Sequence, residues 1–190
     1  MYQTILSDTN LYRYLLKLDE ELAADARRKG CACGGKLHSA RYPRKPRGVP
    51  KELEEEYSRR QSFCCAEEGC RKRTTPASFR FLARRVYVGV VVTLLTALRH
   101  GATPDRVAKL RQIVGVSART LERWRRWWLE DFPRSPFWKW GRGRLRRPVE
   151  ETTLPLSLLE CFEEASAQET TIGLLRFILP LTIRSRIQEN

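Results

Sequence analysis

The chain has 190 residues, 36 Lys and Arg against 22 Asp and Glu, and a formal net charge of +14. A hydrophobic share of 42% supports a packed core and excludes wholesale disorder. Residues 1–10 are polar, so no secretory leader is expected, and the longest apolar run, residues 86–98, stops at Arg99 short of the roughly 18 residues a membrane span needs.

The charge is unevenly placed. Residues 1–30 are neutral, residues 31–85 carry +8, residues 86–148 carry +10 and residues 149–190 carry −4. A block of that sign calls for a polyanionic partner, and nucleic acid is the commonest. The expectation is a cytoplasmic, nucleoid-associated protein.

A helix is predicted from Asp8 or Thr9 to Lys29, with Leu11, Leu15, Leu18 and Leu22 at helical spacing and Tyr14 adjoining. The basic turn Arg27-Arg28-Lys29 followed by Gly30 ends it. Helical periodicity is lost over residues 31–80, where Gly34, Gly35, Pro43, Pro46, Gly48 and Pro50 break the chain. A strand is predicted within residues 56–65, with Tyr57, Phe63 and Cys65 on one alternate set. Residues 41–51 are expected as a basic extended loop. Helices are predicted over residues 86–100, 105–114 and 118–131, although the valines of the first also favour a strand. Residues 133–148, rich in Pro, Gly and Arg, are expected as a linker. Residues 149–190 are expected as an acidic helical tail, with helices at 154–165 and 170–178.

Five of the six cysteines fall in two clusters, Cys31 with Cys33 and Cys64, Cys65 with Cys70. Without an export signal, such clusters argue for metal over disulfides. Zinc takes four thiolates from two tight turns, and the interval between the clusters suits a zinc-ribbon-like module with an inserted loop. The chosen ligands are Cys31, Cys33, Cys65 and Cys70. Cys65 is preferred to Cys64 because alternation places it on the side of Phe63, and His38 is a substitute candidate. One structural Zn2+ is therefore expected. Cys161, after Leu158 and Leu159, is expected to be an inert thiol.

Residues 105–131 contain Gly115 between two helical stretches and Ser117 as a cap for the second. Leu110, Val114, Val116, Leu121 and Trp124 can bury the corner, leaving Ser117, Arg119, Thr120, Arg123 and Arg126 toward the exposed front. Arginines there can reach guanine edges or phosphates.

The string from Gly115 to Trp124, of the form GVS…T…RW, resembles the helix-turn-helix of resolvases, transposases and phage-type regulators. It departs from them at the motif's usually small fifth position, occupied here by Arg111. The cysteine clusters followed by Arg71-Lys72-Arg73-Thr74-Thr75-Pro76 are similar to the zinc-ribbon segment of some insertion-sequence transposases. The two resemblances imply DNA recognition in a mobile element. They do not imply catalysis, which in such enzymes needs three acidic residues on a large ribonuclease-H-like domain.

The fold expected is mainly α with a small zinc-ribbon-like β insertion and a helix-turn-helix core. Its divisions are an N-terminal helix (1–30), a zinc module (31–80), a helical domain (81–132), the linker and the tail. The expected function is sequence-specific binding of double-stranded DNA, accessory to transposition, recombination or transcription, with the acidic tail as a site for a protein partner. No nucleophile motif, P-loop or HExxH string is present, so no enzyme is expected. The alternatives are an RNA or single-strand binder, using Phe137, Trp138 and Trp140 beside Arg142 and Arg144, and a zinc-ribbon adaptor for proteins.

Overall fold

Capping chemistry, glycine placement and a few long-range polar contacts explain most of the elements in the computed structural model. It describes residues 5, 6, 8–44, 48–82, 92, 94, 103–113 and 115–183. The described elements are mostly helical, with two small antiparallel sheets, and the chain divides into two compact units. No helix among the described residues is long and apolar enough to cross a membrane.

One unit comprises Thr9–Val88 with Ile178–Asn190. Helix α1 (Thr9–Lys29) ends in three basic residues and Gly30, whose φ of 70° is the left-handed conformation that closes a helix. Its buried face is Leu11, Tyr12, Leu15, Asp19 and Ala23, while Leu18 and Leu22 are only half-buried and Tyr14 is exposed. The stripe is thus rotated from the predicted leucine row, and an aspartate sits in its middle.

Strands β1 (Leu37–Ser39) and β2 (Tyr42–Pro43) follow, then the short helix α2 (Glu54–Tyr57), β3 (Arg59–Arg60), β4 (Phe63–Cys65) and β5 (Arg73–Thr74). One sheet has the order β1-β4-β5 and the other pairs β2 with β3, all antiparallel. The predicted strand over 56–65 is therefore divided. Tyr57 belongs to the helical turn, where it is buried and meets Tyr12 edge-to-face with centroids 5.8 Å apart. Part of the expected basic loop is likewise the paired strand β2.

The other unit comprises Met1–Asp8 with Gly89–Phe177. Of the helix predicted over 86–100, only Val92 and Leu94 lie within the described residues; both are helical and buried. Helices α3 (Pro104–Ile113) and α4 (Ala118–Arg126) lie on either side of Gly115. The chain stays helical beyond α4 through a wider turn, Trp127–Asp131, in which the Phe132 N–H donates to the Trp127 carbonyl. It then forms α5 (Phe132–Arg134) and α6 (Pro136–Gly141). After a further turn come α7 (Leu156–Glu160) and α8 (Ala167–Phe177).

Residues 133–148 are not a simple linker. Ser135 caps α6 by accepting from the Trp138 N–H at 3.1 Å, and the buried Trp138 indole donates to Glu151 Oε1 at 2.6 Å. Rings run through this unit in contact, Trp128–Phe132 at 4.9 Å, Phe132–Trp138 at 5.1 Å and Phe137–Phe177 at 5.3 Å. The acidic tail is also part of the folded core up to Phe177, with Leu158, Leu159, Leu174 and Leu175 buried.

Candidate functional site

The first candidate is a cysteine cluster built by two turns and a strand pair. In the first turn the Gly34 N–H donates to the Cys31 carbonyl at 2.8 Å, and the Cys31 N–H to the Gly35 carbonyl at 3.1 Å. Gly34, at φ 84°, supplies the backbone sign this reversal needs. Gly35 is required for a different reason: a Cβ there would lie 2.7 Å from Cys65 Sγ. In the second turn the N–H groups of Cys70 and Arg71 both donate to the Glu67 carbonyl at 3.0 Å, with Arg71 at φ 41°.

Register sets which thiol faces in. Leu37 pairs with Cys65 and His38 with Cys64, so alternation turns Leu37, Phe63 and Cys65 to the buried side and His38 and Cys64 outward. Cys64 Sγ instead lies 3.5 Å from the Arg71 carbonyl. Cys31, Leu37, Phe63 and Cys65 pack with Ala23 of α1, and Cys70 adjoins them.

The structure brings together Cys31, Cys33, Cys65 and Cys70, whose Sγ atoms all lie within 4.8 Å of one another. The short separations are Cys31–Cys70 at 3.6 Å and Cys33–Cys65 at 3.5 Å. A disulfide needs about 2.05 Å, and all of these cysteines are free. The group can hold a metal ion.

The thiols differ in acidity. The Cys33 N–H and thiol stabilise the Cys31 thiolate and lower its pKa to about 7. At Cys65 the Glu67 N–H favours the thiolate, but desolvation and the neighbouring thiols outweigh it and push the pKa up to about 12. Cys70 is also raised, its stabilising Lys72 N–H being outweighed chiefly by the Cys33 and Cys31 thiols. One negative charge is accommodated and further ones are opposed, a conflict that a bound cation relieves. Cys161 belongs to the other unit, its Sγ 3.5 Å from the Ser157 carbonyl, and burial raises its pKa.

The second candidate is the exposed face of α4. Ser117 caps the helix, accepting from the Thr120 N–H at 3.2 Å. Leu121, Trp124 and, beyond α4, Trp128 are buried at i, i+3 and i+7, which sets the inward face. Arg119, Arg123 and Arg126 are exposed, and with Glu122 they line a shallow concavity. Arg125 pairs with Glu122 at 3.6 Å.

Thr120 departs from its expected place at the front. It is 9% exposed, and its Oγ1 accepts from the Ser117 hydroxyl at 3.0 Å. Its part is in capping. Val116 is buried as expected, whereas the side chains of Leu110, Arg111 and Val114 lie outside the described residues.

Sequence reasoning missed a buried ion pair in the cysteine-bearing unit. Asp19 of α1 accepts from Arg80 Nε at 2.7 Å and from the Phe79 N–H at 2.6 Å. Arg80 also lies over the Tyr57 and Phe81 rings, 5.0 Å from each centroid. The only local clue was an aspartate flanked by the leucine row of an amphipathic helix. No family model, curated protein or solved structure matches this chain.

Proposed function

We propose that this chain is a sequence-specific double-stranded DNA-binding protein with one structural Zn2+. The observation that carries the DNA reading is the row of exposed Arg119, Arg123 and Arg126 on a capped helix whose opposite side is held by Leu121 and Trp124. On this reading α3, the turn at Gly115 and α4 act as a helix-turn-helix, and α4 enters the major groove N-terminus first. Arg119 and Arg123 meet base edges and Arg126 meets phosphate. The net charge of +14 supports the same partner, and a nucleoid location follows from it. A role accessory to transposition, recombination or transcription fits such a binder.

The zinc assignment rests on donor type and spacing. Four thiolates suit a soft or borderline cation and close a tetrahedral shell, which makes the site structural and not catalytic. Zn–S bonds of about 2.3 Å place tetrahedral sulfurs about 3.8 Å apart, close to the 3.5 and 3.6 Å found here. A protein partner of the tail would meet the exposed acids Glu163, Glu164 and Glu169, because the apolar residues of α7 and α8 are turned inward.

The test is selection of binding sites from random duplexes, followed by affinity measurements at two salt concentrations. Enrichment of one sequence is expected. Failure to enrich any sequence would remove the specific reading, and a purified chain without metal would remove the zinc assignment.

A further inference from the structure

Trp140 is out of place for a large aromatic side chain. It is 56% exposed, more than any other large hydrophobic residue among those described. Its helix is firmly held. Ser135 caps α6, Trp138 is anchored to Glu151, and a Cβ at Gly141 would lie 2.9 Å from the Phe177 ring. The indole is thus presented to solvent from a fixed platform.

Its surroundings are cationic. Between Asp131 and Glu150 the sequence has six basic residues and no acidic one. Lys139, Arg142, Arg144 and Arg146 are exposed. The Arg144 guanidinium lies 3.5 Å from the Trp140 ring centroid, a stacked cation–π contact on one face. With that contact in place the residue is still 56% exposed. Glu151 is engaged by Trp138 and by Arg142 at 3.5 Å.

We propose that Trp140 is a stacking platform for an unpaired nucleotide, with Arg142, Arg144 and Arg146 meeting the adjacent phosphates. An aromatic ring beside a cationic track is what single-strand binders use, because every base offers a flat face and every linkage a negative charge. A paired base inside a duplex does not offer its face, so this site takes what the α4 arginines do not. The exposed Trp140 and its cationic neighbours carry the inference, which does not rest on the duplex reading of α4.

The experiment is anisotropy titration of the full chain with labelled ten-nucleotide oligothymidylate and oligouridylate, and with a labelled duplex. Trp140→Ala is expected to weaken binding to one or both single strands by at least about five-fold. Duplex affinity should change less than about two-fold. Trp140→Phe, which keeps an aromatic face, should restore most of the loss. Because the residue lies outside the core, both variants should keep the parent's circular dichroism. The proposal is overturned if the parent binds neither single strand, if Trp140→Ala binds them as the parent does, or if it weakens duplex equally. Failure of duplex selection with Trp140-dependent single-strand binding would overturn the proposed function and sustain this site.

Discussion

Arg80 donates through Nε to Asp19 Oδ2 at 2.7 Å, and neither side chain has any solvent exposure. The carboxylate is further satisfied by the Ser78 hydroxyl and the Phe79 N–H, and Arg80 Nη2 reaches the Arg59 carbonyl at 3.2 Å. One polar knot thus ties α1, the first residue of β3 and residues 78–80. Removing one partner strands a buried charge, so Asp19→Ala should destabilise this unit by about 3–5 kcal/mol. Replacing both, as Asp19→Leu with Arg80→Met, should recover a substantial part. Urea unfolding of the two variants checks this; equal loss in both would show that hydrogen bonds to Ser78 and Phe79, not charge, dominate.

Tyr57 sets an alkaline limit. Burial raises its pKa far above the ordinary 10.0, with the Arg80 charge opposing only in part. The unfolded chain gives up this proton from about pH 10 upward while the folded chain keeps it. The native state then binds more protons, so stability is complete below about pH 10 and falls as pH rises beyond it. Tyr57→Phe should be less stable at neutral pH by about 1 kcal/mol, having lost the bond to the Tyr12 carbonyl. Its alkaline decline should be shallower. Urea midpoints across about pH 8 to 11 measure both effects.

The cysteine cluster separates two neighbouring thiols. Cys64→Ser should leave bound metal unchanged, and Cys65→Ser should lower its affinity sharply, because only Cys65 faces the other three sulfurs. Gly35→Ala places a methyl 2.7 Å from Cys65 Sγ and 2.5 Å from Glu67 Cγ. Glu67 is exposed and can swing away, whereas the sulfur is held by the cluster. A loss of about ten-fold or more in metal affinity is expected, on the scale seen when support around a metal site is disturbed. Chelator competition with a metal indicator gives the numbers, and an unchanged affinity in Gly35→Ala would mean the turn can relax.

Local rules account for what was legible in the sequence. The C-terminal end of α1 follows from its basic last turn and Gly30, and the inward turn of Cys65 follows from strand alternation. Non-local contacts account for what was not. Asp19 takes the place of a leucine on the buried face because its partner is 61 residues away. Tyr57 leaves the predicted strand for a helical turn in which its ring meets Tyr12, 45 residues earlier. Thr120 was expected at the front, but its hydroxyl completes the cap with Ser117. Residues 133–148 have a linker's composition, and only the distant Glu151 and Phe177 show why they are ordered.

That last difference has a direct test. Gly141→Ala forces a methyl to 2.9 Å from Phe177 Cζ in a unit whose rings are already in contact. Overpacking of this kind costs about 1–3 kcal/mol. The thermal midpoint should fall, and limited proteolysis should open residues 134–147 in the variant before the parent. A neutral outcome would mean that the Phe177 ring can shift to make room.

The arginines of α4 should divide by role. Arg119 and Arg123 lie one turn apart near the capped start of the helix, and Arg126 lies farther along the same exposed side. In a major-groove docking the early positions meet base edges and the later one meets the backbone. Arg123→Ala should therefore cost about 1–3 kcal/mol on the selected site and blur sequence preference there. Arg126→Ala should weaken all duplexes alike and reduce the slope of log affinity against log salt by about one unit. Arg125 serves as the control, since it is partly covered and paired with Glu122. Arg125→Ala should alter neither specificity nor salt slope by a comparable amount. Titrations of the three variants on the selected and a scrambled duplex, each at two salt concentrations, distinguish the roles. If Arg123→Ala lowers affinity for both duplexes equally, α4 binds phosphate only, and the chain is a non-specific DNA binder.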